Sequence, residues 1–180
     1  MKNSYSNLIQ QSFKFPQEGF DLNNGFLTFH GVSLQALIKK HGTPFRLFYL
    51  PNIGEKINRA RNTFDKAIKK HKYKGNYHYC YCTKCNHFSH VISAALQHNV
   101  HLETSSSFDI DLILNLYKEG TINTNLIVIN NGYKTTEYLK KIIALYDIGF
   151  KNVMVVLDNK SELKRLTTLL KGTDKKIKIG

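Results

Sequence analysis

Four side chains capable of covalent or metal chemistry lie within residues 80–85. Cys80, Cys82 and Cys85 are the three cysteines of the chain, and Lys84 lies between the last two. Thiolates bind zinc, whereas a lysine amine can attack a carbonyl carbon and hold it as a Schiff base. The stretch could therefore form either a metal site or a covalent cofactor site.

The cysteine spacing fits a zinc site poorly. A structural zinc site usually takes four ligands in two pairs, whereas C-x-C-x2-C supplies three and no second cysteine pair exists in the chain. His87 or His90 could supply a fourth ligand, which leaves a cysteine-cluster metal-binding module as an alternative. We expect no metal, with Cys80 and Cys82 acting as small core residues, since a free cysteine packs like a small hydrophobic side chain.

The position of Lys84 favours covalent chemistry. The aromatic-rich residues 77–83 predict a strand, on which Cys80, Cys82 and Lys84 would share one face. Active sites of parallel α/β folds lie at the carboxyl ends of their strands. Apolar and aromatic neighbours would desolvate the ammonium group and favour the neutral, nucleophilic amine. The alternative is a lysine that simply reaches solvent at a strand end.

The elements around this stretch alternate regularly. From residue 77 onward strand and helix patterns repeat four times, and residues 176–180 begin a fifth strand. The predicted helix starts are Ser106 or Ser107, Thr135 or Thr136, and Asp158 or Ser161. The nearly all-apolar segment 152–158 is typical of a strand buried on both faces.

This alternation predicts an α/β fold with parallel strands, namely a partial (β/α)8 TIM-type barrel with about five strands. An open, doubly wound sheet is the rival architecture, although no G-x-G-x-x-G follows any strand. Residues 1–44 predict a separate N-terminal segment with a short strand and a helix over 33–41. The barrel part would span residues 45–180, starting with a strand after Thr43–Pro44 and a helix near Pro51.

Composition limits the function classes. The net charge of +13 comes from lysines scattered along the chain, so we expect no nucleic-acid partner, although a basic nucleic-acid-binding module remains an alternative. No apolar run reaches the roughly 20 residues that span a bilayer, and we expect no membrane partner. Residues 1–20 lack the apolar core of a secretory signal. We therefore expect a cytoplasmic protein with reduced thiols.

Four segments resemble one enzyme family. The segment "YCYCTKCN" resembles the Y-x-x-K-x-N motif of fold-type III pyridoxal-phosphate enzymes, in which the lysine carries the cofactor. In chain order, "TPFRLFYL", "VHLETSSSFDIDLI" and "IVINNGYKTTEYLKKIIALYDIGFKNVMVVLDNKSEL" are similar to further segments of that family. The last two favour the biosynthetic arginine decarboxylases over the racemases.

The resemblance implies a cofactor and the residues that bind it. The cofactor would be pyridoxal 5′-phosphate, held as a Schiff base on the catalytic Lys84. The residues implied in cofactor binding are Lys84, Glu103, Asn86, Ser106 and Asn131. Lys134 falls in the N-G-Y-K turn, for which a place at the pocket floor is expected. Two positions depart from the family pattern: Ser107 stands where the family usually has lysine or glycine, and Asp109 stands where it usually has glutamate.

The resemblance also implies an activity: decarboxylation of arginine to agmatine and CO2, in polyamine and spermidine synthesis. Glycine-rich phosphate loops and a β-rich domain, against which residues 1–44 would pack, lie further along in the family. We therefore expect an N-terminal portion of a homo-oligomeric enzyme, one that holds cofactor poorly and does not turn over substrate alone. A non-catalytic barrel remnant or regulatory partner is the alternative.

Overall fold

The structure, a computed structural model, describes residues 18–180, and these divide into two units between Phe48 and Tyr49. Part of the predicted N-terminal segment 1–44, namely residues 1–17, lies outside the described residues. So does nearly all of the segment from which we predicted the absence of a secretory signal.

The first unit is a three-stranded antiparallel sheet followed by a helix. Its elements are β1 (Phe20–Asn23), β2 (Phe26–Phe29), β3 (Val32–Ser33) and α1 (Leu34–His41). The turns at Asn24-Gly25 and His30-Gly31 have positive φ at both residues, as two-residue hairpin turns with the right twist require. The Ser33 hydroxyl accepts a hydrogen bond from the Ala36 N–H and so begins α1.

The strand predicted after Thr43–Pro44 is wrong. Residues 45–49 form no regular secondary structure and are absent from both sheets. A strand is defined by hydrogen bonds to a neighbouring strand, and no described residue pairs with this segment. Its aromatic and apolar residues favour a strand intrinsically, but that preference alone does not form one.

The second unit begins with α2 (Pro51–His71) and then alternates strand and helix. Its further elements are β4 (Cys80–Cys82), α3 (Ser89–Leu96), β5 (His101–Thr104), α4 (Ser107–Lys118), β6 (Val128–Asn130), α5 (Thr136–Asp147), β7 (Val153–Val155), α6 (Lys160–Leu170) and β8 (Lys178–Ile179). The five strands are parallel, in the order β4-β5-β6-β7-β8. The predicted α/β fold, with about five strands of a TIM-type barrel, is confirmed.

Only one face of this sheet is buried. Leu102, Val128 and Val153 lie side by side on β5, β6 and β7, and all three are fully buried against the helices. The opposite face is only half-buried, as Met154 on β7 illustrates. The prediction that residues 152–158 are buried on both faces is therefore wrong, because helices cover a single side of the sheet.

Side chains that cap the helices fix the loops at the carboxyl edge of the sheet. Ser106 and Thr135 are the N-caps of α4 and α5, each one of the two residues predicted. Asn159 caps α6, in place of the predicted Asp158 or Ser161. Its Oδ1 accepts from the Glu162 N–H at 3.1 Å, and asparagine is as effective an N-cap as aspartate or serine.

Candidate active site

Lys84 follows the edge strand β4 and lies on a short 3₁₀ turn. The strand ends at Cys82, and Thr83–Cys85 form the turn. The buried Thr83 hydroxyl donates to the Glu103 carbonyl oxygen at 3.1 Å and so fixes the turn against β5. The alternation predicted from Cys80 through Lys84 therefore stops at Cys82, because a 3₁₀ turn changes the side-chain period from two to three.

The Lys84 side chain is exposed and lines an open cleft of about 390 Å³. This differs from the desolvated setting that its sequence neighbours suggested. The other residues lining the cleft are His87, Ser105, Ser106, Phe108, Asp109 and Leu112. Within residues 18–180 the Lys84 ammonium group forms no hydrogen bond or ion pair, so no protein side chain competes with a ligand for it.

Ser106 lies in the same cleft but serves the helix. Its backbone N–H and that of Ser105 donate to Asp109 Oδ2, at 3.0 and 2.8 Å. The Ser106 hydroxyl accepts from the Asp109 N–H and donates to the same carboxylate, which completes a capping box. The Asp109 carboxylate thus already occupies the N-terminus of α4, where a phosphate group would otherwise bind.

Glu103 and Asn131 lie next to each other at the ends of β5 and β6. The Asn131 side-chain amide donates to Glu103 Oε1 at 3.0 Å. Glu103 is also paired with Cys82 across the sheet, so its carboxylate lies near the Cys82 thiol. Burial and this carboxylate raise the pKa of Cys82 to about 12, so the thiol stays protonated at neutral pH. Glu103 therefore links three neighbouring strands.

Asn86 does not line the cleft. Its Oδ1 accepts from the Phe88 N–H at 3.0 Å, and its carbonyl oxygen accepts from the Tyr81 hydroxyl at 2.7 Å. Both bonds hold the chain between the Lys84 turn and α3. Among the residues implied in cofactor binding, the structure brings Lys84 and Ser106 to one cleft and pairs Glu103 with Asn131.

A buried polar network that no sequence pattern predicted lies at the carboxyl ends of β5, β6 and β7. The Thr104 hydroxyl donates to Asn130 Oδ1 at 2.9 Å and lies 2.7 Å from the Tyr138 hydroxyl. The Asn130 amide donates to the Met154 carbonyl oxygen at 2.9 Å. Burial raises the pKa of Tyr138, which keeps its hydroxyl neutral. The network joins β5, β6, β7 and α5.

Lys134 is fully buried beside Glu162, which is buried as well. The Lys134 ammonium lies 3.3 Å from Glu162 Oε2 and donates to the Gly132 carbonyl oxygen. The Glu162 carboxylate also accepts from the backbone N–H groups of Lys134 and Asp158, at 2.8 and 3.0 Å. Burial alone would raise the pKa of Glu162, but these bonds and the lysine charge outweigh it and lower that pKa.

The ion pair joins the loop after β6 to the start of α6. Sequence reasoning singled out Lys134 but missed Glu162, although "SEL" after a strand offered an acidic first-turn residue as a signal. Within residues 18–180 no three histidine, cysteine or acidic side chains come together as a metal site. None of the helices there is long and apolar enough to cross a membrane.

Comparison with known families matches residues 54–180 to the pyridoxal-binding domain of the pyridoxal-dependent decarboxylases. The chain is 32% identical over 116 residues to the biosynthetic arginine decarboxylase of Prochlorococcus marinus (strain MIT 9312), a match that covers 62% of the chain and 17% of that protein. It is 25% identical over 124 residues to biosynthetic arginine decarboxylase 1 of Synechocystis, covering 64% and 18%. The chain thus spans about a fifth of these relatives.

Two solved structures share the fold. The biosynthetic arginine decarboxylase of Campylobacter jejuni superposes with a TM-score of 0.67 at 20% identity, over 91% of this chain and 28% of that one. A protein from Aquifex aeolicus superposes with a TM-score of 0.68 at 22% identity, over 90% and 36%. At these identities the likeness establishes the fold.

Proposed function

The chain belongs to the pyridoxal-dependent decarboxylases, whose pyridoxal-binding domain it contains, and on that premise we propose that Lys84 binds pyridoxal 5′-phosphate as a Schiff base. The reaction proposed for the whole protein is the decarboxylation of arginine to agmatine and CO2, a step of polyamine synthesis. The observation that carries the proposal is the position of Lys84: an exposed amine at the carboxyl end of a parallel strand, facing a cleft.

The residues around Lys84 fit part of the cofactor. The cleft is within the size range of small-molecule sites, and the side chains of His87 and Phe108 line it, so aromatic surfaces are available to a pyridine ring. The phosphate group fits less well at the start of α4, because Asp109 already neutralises that helix end. Lys84 would therefore hold the ring end of the cofactor, while its phosphate would bind elsewhere.

The chemistry divides between cofactor and chain. Bound pyridoxal phosphate supplies a ring that accepts the electron pair released when a carboxylate leaves as CO2. Lys84 would hold the cofactor by its nitrogen, and the same nitrogen could carry a proton to or from the substrate. The Glu103–Asn131 pair keeps the ends of β5 and β6 in register beside it. The Thr83 hydroxyl bond keeps the lysine turn on the sheet.

Arginine is the substrate that the names of the relatives favour, since both curated relatives above are biosynthetic arginine decarboxylases. We also propose that the substrate is a small amino acid, that the whole protein acts in the cytoplasm and that it forms a homo-oligomer. Residues that recognise the arginine side chain are not among those described above. The substrate proposal is accordingly separable from the cofactor proposal, and each can be tested alone.

Borohydride trapping tests the cofactor proposal. The purified chain is incubated with pyridoxal phosphate, reduced with sodium borohydride and digested, and each lysine's pyridoxyl content is measured by mass spectrometry. We expect Lys84 to be labelled at lower cofactor concentrations than other exposed lysines such as Lys72 and Lys118. Lys84→Ala should lose that high-affinity label, whereas Lys72→Ala should keep it. Equal labelling of all exposed lysines would overturn the proposal.

A further inference from the structure

The turn that carries Lys84 also brings two thiols together. Cys82 is the N-cap of the 3₁₀ turn and Cys85 is its last residue. A turn of this kind brings the Cα atoms of residues i and i+3 to within about 7 Å, with a rise of about 2.0 Å per residue inside the 3₁₀ segment. The resulting separation of about 6 Å between the two Cα atoms falls within the range that a disulfide spans.

The two thiols differ in exposure in the way a redox pair requires. Cys85 is exposed and can meet a soluble reagent, whereas Cys82 is half-buried. The Glu103 carboxylate lies opposite Cys82 on β5 and, together with burial, raises the pKa of the Cys82 thiol. Cys80 lies two residues earlier on β4 and is also half-buried, but the turn does not bring it to Cys85.

We propose that Cys82 and Cys85 form a dithiol that a small-molecule disulfide such as glutathione disulfide oxidises to an intramolecular disulfide, a covalent modification on either side of Lys84. The Cys85 thiolate attacks one sulfur of the reagent, whose S–S bond breaks and releases one thiolate. Cys82 then gives its proton to the released thiolate and attacks the Cys85 sulfur, which releases the second thiolate, protonated by the solvent. Two protein thiols thereby lose two electrons and two protons, and the reagent gains them as two thiols.

Oxidation would change the surroundings of Lys84. The disulfide removes the thiol proton beside Glu103, whose carboxylate keeps its hydrogen bond from the Asn131 amide. It also fixes both ends of the turn covalently, so that the Lys84 backbone can no longer adjust freely. The dithiol is therefore a means of coupling the thiol redox state to the reactivity of the lysine.

The sequence provides a direct test, because trypsin cleaves after Lys84 and so separates the two cysteines. The reduced chain yields peptide 75–84, which holds Cys80 and Cys82, and peptide 85–118, which holds Cys85. The folded chain is equilibrated with glutathione disulfide, its free thiols are blocked with an alkylating reagent, and the digest is analysed by mass spectrometry. We expect the two peptides to be joined by a disulfide.

Single variants identify the partners. Cys82→Ser and Cys85→Ser should each abolish the joined peptides, whereas Cys80→Ser should leave them in full yield. Circular dichroism of each variant checks that it is folded, and the exposed position of Cys85 makes Cys85→Ser the safer of the two. The proposal is wrong if the peptides stay joined in Cys82→Ser, or if the wild-type chain carries only a glutathione adduct on Cys85.

The effect on Lys84 is a second measurement, and it rests on the proposed function. Pyridoxal phosphate trapping on Lys84 should fall in the oxidised wild-type chain and return after reduction with dithiothreitol, while Cys85→Ser should show no such dependence. The two failures are distinguishable. Joined peptides with unchanged trapping would refute the coupling alone, and absent trapping in every redox state would count against the cofactor proposal.

Discussion

Two lysines follow parallel strands of the same sheet and have opposite surroundings. Lys134 comes after the central strand β6 and is fully buried beside Glu162, whereas Lys84 comes after the edge strand β4 and is exposed. A central strand has neighbours on both sides, so the loop after β7 can deliver a carboxylate to Lys134. The difference teaches that position in the sheet decides whether such a lysine is buried in an ion pair or left exposed at a cleft.

The strongest test removes the partner of the buried lysine. Glu162→Ala leaves the Lys134 ammonium and two backbone N–H groups buried without their acceptor, and breaking a buried pair this way costs about 3–5 kcal/mol. Urea unfolding followed by circular dichroism would measure the loss. Glu137→Ala, at an exposed carboxylate that also faces a lysine, is the matched control and should change stability by less than ~0.5 kcal/mol. A similar loss in both variants would contradict the comparison.

Acid should remove the same stabilisation in the wild-type chain. The pKa of Glu162 is lowered below its ordinary value of 4.5, so the folded state binds this proton more weakly than the unfolded state does. The contribution of Glu162 is therefore fully present above pH 4.5 and is lost as pH falls through the lower folded pKa. The stability difference between wild type and Glu162→Gln should accordingly shrink below that pH. A stability difference that grows as the pH falls would show that folding raises the pKa of Glu162 and does not lower it.

The features that could be predicted from the sequence are those that depend on neighbouring residues along the chain. The helix caps at Ser106 and Thr135 and the five strands depend on local patterns, and those predictions are confirmed. The pairing of Lys134 with Glu162 spans 28 residues and requires the strand order, which no local pattern contains.

The surroundings of Lys84 illustrate the same limit. Residues 77–83 have the composition of a strand, yet the strand ends at Cys82. The Thr83 hydroxyl instead donates a hydrogen bond to the Glu103 carbonyl oxygen on the neighbouring strand. That contact again depends on a neighbour 20 residues away. The exposure of Lys84 follows from this turn and from the edge position of β4, and the residues that flank Lys84 predict neither.

A smaller effect is expected in the network between the two lysines. Tyr138→Phe removes a hydroxyl that lies 2.7 Å from the buried Thr104 hydroxyl. Thr104 keeps its bond to Asn130, so we expect a loss of about 1 kcal/mol, the usual net value of one hydrogen bond. Thermal or urea unfolding would measure it. Tyr133→Phe, at an exposed tyrosine, should have no measurable effect, and equal losses would mean that the network contributes nothing specific.

The capping box beside Lys84 offers a test nearer the cleft. Ser106→Ala removes the hydroxyl that accepts from the Asp109 N–H, and the loss of such an N-cap costs about 1 kcal/mol. Ser107→Ala, one residue further along α4, keeps the cap and serves as the control in the same unfolding experiment. If Ser106 instead bound cofactor without stabilising the helix, its removal would change pyridoxal trapping on Lys84 and leave unfolding unaltered.

Lys84→Ala should have the smallest effect on stability of all these changes. The side chain is exposed and, within residues 18–180, has no hydrogen bond or ion pair to lose, so unfolding should shift by no more than ~0.5 kcal/mol. Lys134→Ala should destabilise strongly, because it leaves the Glu162 carboxylate buried without its cation. A lysine whose removal costs no stability yet abolishes pyridoxal trapping is held at its strand end for chemistry alone. Were Lys84→Ala as damaging to folding as Lys134→Ala, the distinction between the edge and the centre of the sheet would fail.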